Sequence, residues 1–130
     1  MAGSIPDTLE IKASAIHGVG LFSKVAFEIG EWVFSGKREL KKIENPDKPI
    51  GEICGHSIVP SIHCPRVRDD LYHVYGFDSF MNHSCDPNTS VVYVDDYDYY
   101  HIATRAIEVG EELTVDYRCV YEDECMIPNN

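Results

Sequence analysis

Short runs of alternating apolar and polar residues, broken by glycines, prolines and acidic turns, make up most of the chain. Leu9-Glu10-Ile11-Lys12-Ala13 alternates and predicts a strand. His17-Gly18-Val19-Gly20 interrupts the pattern, and Leu21 to Val25 predicts a second strand. Glu31 to Phe34 predicts a third, after the turn signal at Gly30. Charges and a proline between Lys37 and Lys48 predict a solvated loop, Ile58-Val59 the centre of a short strand, and Asp69 to Tyr75 one helical turn. Ser90 to Val94 and Tyr99 to Ala103 predict the arms of a hairpin with Asp95-Asp96-Tyr97-Asp98 at its tip, which leaves Tyr97 and Tyr99 facing solvent. Ala106 to Gly110 is a turn, and Leu113 to Asp116 a last strand. Long helical periodicity, internal repeats and low-complexity tracts are not visible in this pattern. The expectation is a mostly β fold with little helix.

Composition narrows the class. A chain of 130 residues with 44% hydrophobic content supports one globular domain. It holds no apolar run approaching the roughly 18 residues of a membrane span, and its first residues lack the basic and apolar regions of a secretory signal. The net charge of −11 argues against direct nucleic-acid binding, which needs a basic footprint. It suits a basic partner, although solubility alone accounts for an acidic surface equally well. Five cysteines, Cys54, Cys64, Cys85, Cys119 and Cys125, are an odd number. They point to a reduced, intracellular chain, nuclear or cytoplasmic and not secreted.

Three segments carry candidate chemistry. Gly18-Val19-Gly20 between two strands lets backbone approach a ligand closely, and a tight turn is its structural alternative. Asn82-His83-Ser84-Cys85-Asp86-Pro87-Asn88 crowds polar groups that must find partners between Phe80-Met81 and a β-rich segment. Its alternatives are an Asx-turn ended by proline, or a metal site using His83 and Cys85, for which the spacing is poor. Glu112-Leu113-Thr114-Val115-Asp116-Tyr117 is an alternating strand ending in a tyrosine, which taken singly reads as core.

In this order and spacing, the Gly18-x-Gly20, Asn82-to-Asn88 and Ile102-to-Tyr117 segments resemble the signature motifs of the SET domain, the fold of protein lysine methyltransferases. The resemblance covers about Leu9 to Tyr117, and it implies a SET domain over 8–118 followed by a short tail, 119–130. It implies a β-clip fold of short sheets with a C-terminal pseudoknot, in which the tyrosine segment threads beneath the Asn-His loop. It implies transfer of a methyl group from S-adenosyl-L-methionine to a protein lysine ε-amine, on a basic protein or peptide such as a histone tail, with no metal in the chemical step. By motif, His17, Gly18, Val19 and Gly20 would line the methionine end and ribose of the cofactor. Asn82 and His83 would hold the adenine, and Tyr117 would be the catalytic tyrosine beside the transferred methyl. Tyr75, Phe80 and one tyrosine of the 93–100 cluster are candidates for the aromatic wall of the lysine channel, and Val115 stands where many members have a phenylalanine or tyrosine that limits the number of methyl groups added, which leaves that number open here.

The chain also departs from the pattern. Many members follow the catalytic strand with a zinc-binding C-x-C-x-x-x-x-C tail. Here only Cys119 and Cys125 follow, leaving Cys85 without its usual partners. A separate set, Cys54, His56, His63 and Cys64, could supply four metal ligands, with ordinary loop residues as the alternative that its composition favours. Ser79 stands where an arginine often precedes the motif, and Ser35 where a glutamate is common. One wall of the channel must then come from the tail, from a second subunit in a homodimer, or from the substrate. The rival reading is a non-catalytic SET module that binds cofactor or a lysine-containing peptide.

Overall fold

The computed structural model describes residues 5–118. In chain order the strands are β1 (Leu9–Ala13), β2 (Val19–Ser23), β3 (Trp32–Lys37), β4 (Glu39–Lys42), β5 (Gly51–Ile53) and β6 (His56–Ile58). A single helical turn, α1 (Pro60–His63), leads to β7 (Arg66–Arg68) and β8 (Leu71–Val74). A 3₁₀ turn, Phe77–Phe80, precedes β9 (Asn82–His83), β10 (Thr89–Tyr93), β11 (Asp98–Ala103) and β12 (Glu112–Val115). The architecture is mostly β, as the alternation predicts.

Two sheets frame the site. The larger has the order β1-β2-β12-β9. β12 lies antiparallel to β2, pairing Leu113 with Leu21, and parallel to β9, pairing Thr114 with Asn82 and Val115 with His83. The second has the order β10-β11-β3, and its β10–β11 hairpin holds the register Thr89–Ala103 to Tyr93–Tyr99. Leu9, Leu21, Val33, Phe34, Val91, Ala103, Leu113 and Val115 form the core where these sheets meet. Leu21 and Leu113 are wholly buried, which is why their strands tolerate polar neighbours on the other face.

The C-terminal strand is knotted to the Asn-His loop by side chains as well as backbone. Asn88 donates through Nδ2 to the Glu112 carbonyl at 2.8 Å, while its Oδ1 accepts from the Thr114 N–H at 2.8 Å. Thr89 Oγ1 donates to the Thr114 carbonyl, and the Ser84 N–H to that of Val115. Asn88 and Thr89 are 1% and 0% exposed, so these bonds replace water entirely. This is the close association of loop and strand that the pseudoknot implies.

Three local expectations are corrected. Residues 39–42 form β4 and not loop, because the charged side chains sit on an exposed edge strand, a common place for lysines. Residues 71–74 form β8 and not a helical turn, since Asp69, at φ 48°, closes a β7–β8 hairpin. Tyr99 is 2% exposed and not solvent-facing, because the hairpin packs that face onto the core, whereas Tyr97 at the tip is exposed.

Candidate functional site

The Asn82 side chain is the structural hub of the motif region. Its Nδ2 lies 3.1 Å from Ser14 Oγ, 3.1 Å from each of the His17 and Val19 carbonyls, and 2.8 Å from Glu112 Oε2. Two amide hydrogens are shared among these oxygens. The reverse orientation would bring the amide oxygen against them, so the network fixes which way the amide points. Ser14 completes it by donating to the Glu112 carboxylate at 2.7 Å and accepting from the Ile16 N–H at 2.9 Å. The loop before β2, the end of β1, β9 and β12 are thereby tied at one point.

Gly20 is part of that tie. A Cβ there would sit 2.2 Å from Glu112 Oε2 and 3.2 Å from Asn82 Nδ2, so only glycine lets the carboxylate lie against β2. Gly18 differs. It takes φ +50° with nothing within 4 Å of a Cβ position, which leaves its backbone open on that side.

Tyr117 follows β12 and turns back onto β9. Its hydroxyl donates to the Met81 carbonyl at 2.7 Å, and its N–H donates to His83 Nδ1 at 3.0 Å. The second bond leaves the proton of the neutral His83 ring on Nε2, 3.3 Å from Cys85 Sγ. Burial, with the Glu112 charge, pushes the Tyr117 phenol above its ordinary range, so it stays protonated. Beside it, hydrogen bonding from Arg118 holds the Asp116 carboxyl low, with Nη2 2.6 Å from Oδ2.

These segments enclose a cleft of about 540 Å³. Of the residues singled out in the sequence, His17, Gly18, Val19, Phe80, Asn82, His83 and Tyr117 line it. Gly20, Tyr75 and Val115 do not. Gly20 lies beneath the Glu112 carboxylate, and Val115 is core, 3% exposed. Tyr75 lines a second cavity of about 580 Å³ with Asp78 and Lys37. The 3₁₀ turn is the shared wall: residues 76–78 face the second cavity and 79–81 the cleft.

The motifs assign no role to Ser14, Glu112 or Ile62, and His63 enters from the sequence only as a possible metal ligand. Glu112 lay within a quoted motif, but its partner Ser14 is remote in sequence. Ile62 and His63 come from α1, a turn too short for periodicity to reveal. Among the described residues, no group of three or more His, Cys, Asp or Glu side chains is placed to hold a metal, so Cys54, His56, His63 and Cys64 do not converge. Cys119 and Cys125 lie outside the described residues. No helix among those described is long and apolar enough to cross a membrane.

Comparison with known proteins gives a consistent picture. A family model for the SET domain matches residues 18–118. Histone-lysine N-methyltransferase trithorax of Drosophila virilis is 34% identical over 125 residues, covering 91% of this chain and 3% of that protein. Human histone-lysine N-methyltransferase 2B is 33% identical over 126 residues, covering 90% of this chain and 4% of that protein. The chain thus spans a small fraction of these relatives. Among solved structures, a Plasmodium falciparum protein assigned provisionally as a histone methyltransferase superposes with a TM-score of 0.59 at 18% identity, covering 87% of this chain and 95% of that one. This last likeness is one of fold.

Proposed function

The chain belongs to the SET-domain family, and on that footing we propose that it transfers methyl groups from S-adenosylmethionine to a lysine ε-amine of a basic protein or peptide. The observation that carries this reading is a single cleft whose walls include the Tyr117 phenol, the His17–Val19 loop and the Asn82–His83 pair. Its volume suits a small-molecule cofactor. The open backbone at Gly18 fits a ligand that approaches the main chain closely.

In this reading His17, Gly18 and Val19 hold the methionine end and ribose, with Gly20 keeping Glu112 close beneath them. Asn82 braces the loop against β12, and His83 meets the adenine through its backbone groups. When bound, the cofactor supplies a methyl group activated on a sulfonium sulfur. Tyr117 remains a neutral phenol whose proton is committed to the Met81 carbonyl, so its oxygen lone pairs are what it presents to the cleft, and weak C–H···O contacts are within its means. Val115 backs this strand from the core. Alignment of amine, methyl and sulfur is the main catalytic contribution.

The lysine must lose its proton, against an ordinary pKa of about 10.4. A water-excluding channel disfavours the ammonium. Phe80 offers the lysine stem an aromatic wall, and Tyr75, across the 3₁₀ turn, marks the side from which the acceptor enters. The acidic surface favours a basic substrate. A histone tail is the class that the names of its relatives suggest, and it would place the chain in the nucleus. A second subunit or the substrate would close the remaining wall.

The test is transfer of labelled methyl groups to a panel of basic proteins, wild type beside Tyr117→Phe. Label in the wild type that the variant loses supports the reading. Cofactor binding without transfer to any substrate favours the non-catalytic module.

A further inference from the structure

The second cavity has an apolar inner wall and a basic rim. Ile43 and Ile58 are buried in that wall, with Val74 and Phe77 half-buried beside them. Lys37, Lys41 and Lys42 line the cavity and are exposed, whereas no Lys, Arg, Asp or Glu among the described residues lines the cleft. The rim comes from one short run. Residues 37–42 hold four of the chain's 11 basic residues beside a single acid, Glu39, in a chain of net charge −11. Arg38 turns inward from that run, donating to the Asp96 carbonyl at 2.9 Å and the Tyr75 hydroxyl at 3.2 Å.

Two acids share the lining. Asp78 is half-buried and accepts from the Tyr99 hydroxyl, and Glu39 lies 3.9 Å from Lys41. Lys42 lies 3.9 Å from Asp70, outside the lining. Both ion pairs are long and exposed, so they hold the ammonium groups weakly and leave them able to meet an incoming anion.

The surroundings of the cavity suit an extended polypeptide. β4, which carries Lys41 and Lys42, is an outer strand of the order β4-β8-β7, and an extended chain can follow such an edge. The four-residue 3₁₀ turn Phe77–Phe80 separates the cavity from the cleft and, at about 2 Å per residue, is about 8 Å long. An extended chain crosses that distance in two or three residues, at about 3.3 Å each. Charges beyond about 8 Å are largely screened at physiological salt. The acidity of the whole domain therefore acts on encounter, and the rim lysines act on the residues that settle against them.

We propose that the second cavity reads the sequence around the target lysine, taking an apolar side chain on Ile43, Ile58 and Phe77 and an acidic side chain on Lys37, Lys41 and Lys42, two to four positions from the acceptor. This rests on the function proposed above and narrows its substrate. The target is a lysine with an acidic and an apolar neighbour, and not one within a run of arginines and lysines.

A peptide library with one fixed central lysine tests this, with labelled S-adenosylmethionine as donor. Wild type labels peptides carrying Asp or Glu two to four positions from the lysine, with an apolar residue adjoining, about 3- to 10-fold above those carrying Ala there, and Arg is disfavoured. Lys41→Glu combined with Lys42→Glu inverts the preference towards Arg. Lys41→Gln with Lys42→Gln, which adds no repulsion against Glu39, abolishes the preference without inverting it. The Kd for S-adenosylmethionine stays at the wild-type value in both variants, since neither lysine lines the cleft. Transfer with no acidic preference, or a preference that both variants retain, overturns the inference and leaves the proposed function standing. A wild type that binds cofactor but labels no library member overturns it too, and the proposed function falls with it only if whole basic proteins also go unlabelled.

Discussion

The Tyr117 hydroxyl, two residues past β12, and the Met81 carbonyl, one residue before β9, are joined by a 2.7 Å hydrogen bond. It orients the phenol in the cleft, and the Tyr117 N–H bond to His83 holds the backbone behind it. Tyr117→Phe keeps the ring against His83, whose centroid is 5.1 Å away, but withdraws the donor. Unfolding stability falls by about 1 kcal/mol. Methyl transfer falls by about 100-fold or more, the scale of losing one preorganised polar group at a reacting centre. Denaturant unfolding and single-turnover transfer check the two figures separately.

Asn82→Ala has a larger effect on the fold. It removes the amide shared by Ser14, two carbonyls and Glu112, and leaves a half-buried carboxylate with fewer donors. The expected loss is about 2–4 kcal/mol in urea unfolding. Cofactor affinity drops with it, because the His17–Val19 loop is no longer braced.

The two glycines of the first motif separate cleanly by mutation. Gly18→Ala meets only the cost of positive φ, about 1 kcal/mol, and Gly18→Asn, which tolerates that region, costs less. Gly20→Ala forces Glu112 away from Ser14 and Asn82. Combining it with Glu112→Ala relieves the clash, so a thermal-unfolding double-mutant cycle shows coupling between residues 20 and 112 and none between 18 and 112.

What was readable along the chain was local. Alternation located β1, the β10–β11 hairpin and β12, because each has one face on the core. The parallel pairing of Thr114 with Asn82 has no local signal, since it joins segments separated by the whole hairpin. β4 carries no alternation because all four residues are exposed, and β8 was hidden by the acidic turn at Asp69-Asp70 that resembles a helix start. At the site, motif order singled out Asn82, His83 and Tyr117. Ser14 and the lysines of the second cavity were beyond it, because their convergence exists only once the neighbours are in place.

The half-buried Asp78 and the buried His101 give stability opposing pH dependences. Burial pushes Asp78 up to about 6, against the hydrogen bond from the Tyr99 hydroxyl. Its folded value is raised, so its contribution is full below the ordinary carboxyl range and is lost as pH rises through about 6. Burial pushes His101 down to about 3, so its contribution is full above the ordinary imidazole range and is lost as pH falls towards 3. Asp78→Asn should stabilise at about pH 8 by on the order of 1–2 kcal/mol and be near neutral at about pH 4. His101→Phe, which keeps the stack on Phe34, flattens the acid limb. Urea titrations across this range measure both.

Under the proposed function, the cleft between the His17–Val19 loop and the Asn82–His83 pair is the cofactor site. Backbone amide NMR during titration with S-adenosylmethionine tests this directly. The predicted result is saturable shifts at residues 17–19, 79–83 and 117, with little change at Lys37, Lys41 and Tyr75 around the second cavity. Absence of shifts at saturating cofactor, or shifts confined to the second cavity, would contradict it.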